Sequence, residues 1–147
     1  MLREESPASH LPALKRMPAL LDGIVVVVVE DDPDSLDLLR AVMEQRGAVV
    51  VSAPDATSAL EKLTRMRPDV LVTDMSMPGR DGWWLMHEAR TQGLLTGVAA
   101  VAVTAVTLTP QQVREAGFDV YLRKPIDPAL LCARVHAVAR RSTKRSA

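Results

Sequence analysis

The sequence predicts an α/β fold: a parallel five-stranded sheet with helices on both faces. Three observations predict it. Between Ile24 and Arg140, five short β-branched runs alternate with five segments of helical period. The runs are continuously apolar, as strands buried on both faces must be. Carboxylates, a hydroxyl and an ammonium recur where the runs end, and ligands of open α/β sheets bind at the carboxyl ends of strands.

The elements follow in order. Ile24–Val29 is the first strand, one isoleucine and five valines running into Glu30, Asp31 and Asp32. Leu36, Leu39 and Met43 recur at helical spacing, so Pro33–Arg46 is the first helix, and Gly47 ends it. Val49–Ser52 is the second strand. Ala59, Leu63 and Met66 mark the second helix, with Asp55 as N-cap. Val70–Thr73 is the third strand. Gly82 precedes the third helix, Trp83–Thr91. Val98–Val103 is the fourth strand. Thr109 and Pro110 start the fourth helix as cap and first residue, and Gly117 stops it. Val120–Leu122 is the fifth strand. Asp127 and Pro128 open the fifth helix, whose Leu131, Val135 and Val138 face inward. Right-handed crossovers leave few topologies for such a chain.

The domain organisation is simple. Residues 1–22, with Pro7, Pro12 and Pro18, read as a tail or linker carrying one short helical piece around Leu11–Leu21. Residues 23–140 form the domain, and 141–147 a basic tail. A chain of 147 residues suits one domain. Its 48% hydrophobic and 24% charged composition is ordinary for a globular protein. Eighteen basic and eighteen acidic residues cancel, so no nucleic acid and no membrane surface is expected as partner. The valine run is far shorter than the ~20 apolar residues that span a bilayer. The lone Cys132 forbids an internal disulfide, and a cytoplasmic setting is the simplest expectation.

The strand ends carry the chemistry. Glu30-Asp31 follow the first strand, Asp74 the third, Thr104-Ala105 the fourth and Lys124-Pro125 the fifth. Unit charges ~4 Å apart repel by about 4 kcal/mol at an effective dielectric of ~20. Three carboxylates brought together must therefore keep a proton or bind a cation. Hard oxygen ligands with room for water suit Mg²⁺. A carboxylate beside Mg²⁺ and a lysine stays ionised and nucleophilic, which is the chemistry of an aspartyl phosphate.

The stretches "VVEDDPD", "PDVLVTDMSMPGRDG", "VTA" and "YLRKP" resemble, in order and spacing, the receiver domain of bacterial two-component response regulators. The resemblance covers about Gly23–Arg140. It implies the flavodoxin-like (βα)5 three-layer sandwich with strand order 2-1-3-4-5. It also implies a phosphoacceptor switch, Asp74, that takes phosphoryl from a histidine kinase or a histidine phosphotransfer protein. Glu30 and Asp31 match the acidic pair that holds Mg²⁺, with Asp31 as the direct ligand and the backbone carbonyl of Ser76 completing the set. Thr104 and Ala105 match the phosphoryl-binding switch position, Lys124 the lysine of the motif, Pro125 its cis-proline and Tyr121 the aromatic switch residue. The output face implied is helix 4, strand 5 and helix 5. The lead-in "ALLDGIVVVVVED" resembles that of receivers attached to hybrid histidine kinases.

Plainer readings stand beside these. Asp32 precedes Pro33 and is read as the first helix's N-cap instead of a metal ligand. Asp81 and Gly82 shape a loop. His10, His87 and His136 lack metal-ligand spacing, and Cys132 is a small helix residue. Trp83 and Trp84 cannot share one pocket, because adjacent helix residues point about 100° apart. Trp84 is expected to be the exposed one, a candidate anchor for a partner or a homodimer. Glu30 stands where aspartate is more usual, and Ser76 and the apolar Val106 border the phosphoryl position. Two rival classes remain. A haloacid dehalogenase-like phosphatase also uses an aspartate nucleophile with Mg²⁺, but its motif needs a second aspartate where this chain has Ser76. A degenerate receiver, serving only as a binding module, would lack part of the set Glu30, Asp31, Asp74, Thr104 and Lys124.

Overall fold

The computed structural model describes residues 19–146, with side chains to Arg140. Five strands, β1 (Val25–Val29), β2 (Val49–Ala53), β3 (Val70–Asp74), β4 (Ala99–Thr104) and β5 (Val120–Arg123), form one parallel sheet in the order β2-β1-β3-β4-β5. Five helices join them: α1 (Pro33–Glu44), α2 (Ala56–Arg65), α3 (Gly82–Thr91), α4 (Pro110–Ala116) and α5 (Pro128–Ser146). The architecture is the flavodoxin-like three-layer sandwich.

The valines of β1 explain how the layers close. Successive strand side chains point to opposite faces. Val26 and Val28 join Leu39 and Met43 of α1 and Leu131 and Val135 of α5 in one core. Val27 and Val29 join Leu63 of α2, Leu85 and Met86 of α3 and Val113 of α4 in the other. All four valines are fully buried, each contributing roughly 1.5–3 kcal/mol by burial.

Local chemistry sets the helix boundaries. Asp32, Asp55, Asp81 and Thr109 cap α1 to α4, each side chain accepting a backbone N–H three residues on. At α4 the cap is reciprocal, since Gln112 accepts from the Thr109 N–H at 2.8 Å. Gly117 ends that helix in the left-handed region at φ 95°.

Two boundaries differ from the sequence expectation. The expected helical piece around Leu11–Leu21 lies mostly outside the described residues, and its described end is a turn over residues 20–23. That end is not linker. Leu21 is fully buried in the α1–α5 core, and its N–H donates to the Arg46 carbonyl at 2.8 Å. The chain therefore enters the domain ahead of Gly23. The approach is close: a Cβ on Gly47 would lie 2.8 Å from the Asp22 Cα, and Gly47 also has φ +98°. At the other end α5 continues to Ser146, through the segment expected as a tail. Among the described residues, no helix is long and apolar enough to cross a membrane.

Candidate functional site

Parallel register brings the chemical residues to one edge. Val29 pairs with Thr73, Asp74 with Val103, and Thr104 with Arg123. The residues at or just beyond these ends are thus neighbours. Among the described residues the buried polar or charged side chains are Glu30, Thr73, Asp74 and Thr104. Three of the four stand at this edge, and the fourth, Thr73, hydrogen-bonds the Asp74 carbonyl at 2.9 Å. Burying polar groups costs stability unless they are paired, so this concentration marks the place where something other than packing decides the residues.

Lys124 ties the cluster together. Its ammonium lies 3.1 Å from Glu30 Oε1 and 3.4 Å from Asp74 Oδ2. The Asp32 N–H donates to Glu30 Oε2 and the Ser76 N–H to Asp74 Oδ1, each at 3.1 Å. Burial pushes the Glu30 carboxyl up, and Asp74's charge adds to this. Bonds from the Asp32 N–H and Lys124 pull it back only in part, so it stands above its ordinary value. Burial disfavours the Lys124 ammonium too. The bond to Glu30 and the charge of Asp74 outweigh that, and the lysine is held above its ordinary value and stays charged.

One ammonium does not balance the acids around it. Oxygens of Glu30, Asp31 and Asp74 all lie within 4.8 Å of one another, and Asp31 is exposed. Three hard carboxylates, one open to solvent, fit Mg²⁺, which binds oxygen and keeps several waters. Asp32 is turned away from this group. Its carboxylate accepts from the Ser35 N–H at 2.9 Å and the Ser35 hydroxyl at 2.7 Å. Those bonds hold its carboxyl below the usual carboxylate range.

Thr104 is fully buried, and its Oγ1 accepts from the Val106 N–H at 3.1 Å. Ala105 and Val106 are exposed beside it. The Lys124–Pro125 peptide is cis. Tyr121 stands apart from the carboxylates, half-buried on β5 opposite Ala102. It lines an open groove with Pro110, Val113, Leu130 and Arg134. His87 is exposed and Cys132 buried, and neither belongs to a metal-capable group; His10 lies outside the described residues.

The tryptophan expectation is corrected. Trp83 is the exposed one, at 38%. Trp84 packs against the core that holds Ala59 and Leu63 of α2, with the Arg80 guanidinium 4.4 Å from its ring centroid. A neighbouring helix and a cation over the ring decide between two adjacent tryptophans, and neither is visible in the helical period. Sequence reasoning also missed Asp69 and Asp119, which accept the Val25 and Ala100 N–H groups, and Arg123. The only available signal for the two aspartates was their place directly before a strand.

Comparison with known proteins settles the family. Residues 26–136 match the family described as "Response regulator receiver domain". The chain belongs to that family. An uncharacterised 14.6 kDa protein of Leptolyngbya boryana is 42% identical over 105 residues, covering 70% of this chain and 80% of that protein. The transcriptional regulatory protein CseB of Streptomyces coelicolor is 34% identical over 122 residues, covering 83% of this chain and 52% of CseB. This receiver thus spans about half the length of that regulator. Among solved structures, the receiver domain of the sensor histidine kinase PA1611 from Pseudomonas aeruginosa, with a magnesium ion coordinated in its active-site cleft, is 28% identical. It aligns at a TM-score of 0.73 over 80% of this chain and 98% of that domain. The receiver is a module of two-component signalling, and its acidic pocket has the residues to bind Mg²⁺ and to accept a phosphoryl group.

Proposed function

We propose that Asp74 accepts a phosphoryl group from a histidine kinase or a histidine phosphotransfer protein. The observation that carries this reading is the setting of Asp74. It is 4% exposed, with one oxygen held by the Ser76 N–H and the other facing the Lys124 ammonium. Such a carboxylate is held in one orientation at the carboxyl end of the sheet.

In the transfer, an Asp74 oxygen forms a bond to phosphorus while the bond from phosphorus to the donor's imidazole nitrogen breaks. The imidazole leaves with that electron pair. Water later attacks the phosphorus and restores the carboxylate. Glu30, Asp31, Asp74 and the backbone carbonyl of Ser76 would hold Mg²⁺, which would supply positive charge against the phosphoryl oxygens. The magnesium in the related Pseudomonas receiver supports that assignment. Lys124 neutralises charge from the other side, and the Thr104 hydroxyl donates to a phosphoryl oxygen. Tyr121 and Thr104 pass the change to the α4–β5–α5 face. A few kcal/mol of differential contact suffices to shift such a two-state surface. The reading places the protein in the cytoplasm, beside its kinase. Sedimentation before and after phosphorylation tests whether a homodimer forms.

Labelling with radioactive acetyl phosphate and Mg²⁺ tests the chemistry. The expected result is stoichiometric, alkali-labile incorporation that disappears in Asp74→Asn. Continuous release of inorganic phosphate without a stable adduct would mark a phosphatase instead. Absence of incorporation would leave only a binding module.

A further inference from the structure

Arg123 and Lys124 are neighbours in the chain with separate tasks. Adjacent residues of an extended chain point opposite ways. Lys124 reaches the carboxylates, while Arg123, exposed at the end of β5, reaches the loop that follows β4. Its Nη1 donates to the Thr107 hydroxyl at 3.0 Å and its Nη2 to the Ala105 carbonyl at 3.3 Å. The backbone fixes the base of the same loop: Arg123 is the ladder partner of Thr104, and the Lys124 N–H donates to the Thr104 carbonyl at 2.8 Å.

Between the two points that Arg123 holds lies Val106. Its N–H is the donor to Thr104 Oγ1 at 3.1 Å. A threonine hydroxyl has one proton to give and two lone pairs to receive. Once the Val106 N–H occupies a lone pair, the hydroxyl's own proton is directed elsewhere. Thr104 is fully buried at the carboxylate edge, so the direction of that proton matters for an oxyanion arriving at Asp74. The Val106 side chain itself is 56% exposed. Its packing therefore holds the loop weakly at this point, while Arg123 hydrogen-bonds the residues on either side of it.

We infer that Arg123 is a positioning residue for phosphoryl acceptance. By bracing Ala105 and Thr107 it keeps the Val106 N–H on Thr104 Oγ1 and so keeps the Thr104 hydroxyl oriented as a donor. The inference rests on the reading of Asp74 as phosphoacceptor. It assigns to Arg123 no contact with the phosphoryl group or the metal.

The test compares Arg123→Ala, Thr107→Val and Thr107→Ser with the unaltered protein. Arg65→Ala serves as control, since it removes an exposed arginine that pairs along its own helix with Glu61. Initial phosphorylation rate with acetyl phosphate, Mg²⁺ affinity, melting and amide exchange at Val106 are measured. Arg123→Ala is expected to slow phosphorylation by about two- to tenfold, the span of one lost hydrogen bond. Val106 exchange should speed up, with Mg²⁺ affinity and melting unchanged. Thr107→Val should show part of the same loss, less than additive in combination with Arg123→Ala, and Thr107→Ser should restore the rate. An Arg123→Ala rate equal to that of Arg65→Ala, or a loss that tracks weaker Mg²⁺ binding, overturns the inference. Should the unaltered protein take up no phosphoryl at all, the reading of Asp74 fails. The brace is then judged by exchange alone, and unchanged protection of Val106 in Arg123→Ala overturns it.

Discussion

The two ends of the sheet use carboxylates in opposite ways. At the amino end, Asp69 and Asp119 each stand directly before a strand. Asp69 Oδ2 accepts the Val25 N–H of β1, and Asp119 Oδ2 accepts the Ala100 N–H of β4, both at 2.8 Å. Each carboxylate clamps a strand beside its own. At the carboxyl end, the carboxylates of Glu30, Asp31 and Asp74 face one another, with Lys124 between two of them. An acid paired with backbone N–H groups closes the fold. Acids turned on one another leave charge for something else to balance, and that residue of unbalanced charge is what makes a site. The same contrast separates Asp31 from Asp32: adjacent acids, one in the cluster and one spent on the helix cap.

Breaking each end tests the contrast. The largest effect is expected at Asp74, where Asn keeps the shape and removes the nucleophile. Phosphorylation should fall to background, and undiminished acid-stable labelling of Asp74→Asn would place the acceptor elsewhere. Next comes the pair of adjacent acids. Asp31→Ala should weaken Mg²⁺ binding by on the order of tenfold or more, since even outer residues of metal sites are worth that much. Asp32→Ala should leave affinity near that of the unaltered protein while lowering stability by about 1 kcal/mol, the loss of a cap. Titration of both variants with Mg²⁺, followed by Trp83 or Trp84 fluorescence, decides this, and equal affinities would sink the division of labour.

Two glycines sharpen the comparison. A Cβ on Gly82 would meet Met75 Sδ at 2.6 Å and the Asp74 carbonyl oxygen at 2.7 Å. Gly82→Ala should therefore cost about 1–3 kcal/mol by overpacking and also slow phosphorylation, because the strain falls on the backbone of the acceptor. Gly47→Ala crowds Asp22 at the amino end. It should lower stability comparably and leave the phosphorylation of the folded protein intact. Denaturant melts beside labelling assays separate the two, and a phosphorylation defect in Gly47→Ala would show that the two ends are not independent. The smallest effect is expected for Asp69→Ala, about 1 kcal/mol for an unpaired, partly exposed N–H, with Mg²⁺ affinity unaltered.

Much of this was legible in the chain. The apolar runs of β1, β3 and β4 and the caps Asp32, Asp55 and Thr109 are short-range signals, set by what a strand or a helix end needs within a few residues. The motifs at the strand ends placed Glu30, Asp31, Asp74, Thr104 and Lys124 on one edge, because parallel strands all finish on the same side. What the tertiary structure alone decided lies in contacts between distant segments. Glu30 meets Lys124 across 94 residues, and Val25 meets Asp69 across 44. Those pairings depend on strand register, which no local period encodes. The burial of Leu21, the choice of Trp83 over Trp84 as the exposed ring and the reach of Arg123 to the loop after β4 have the same origin. Each is settled by what neighbouring elements cover once the layers have packed, and a residue's own sequence surroundings carry no record of that.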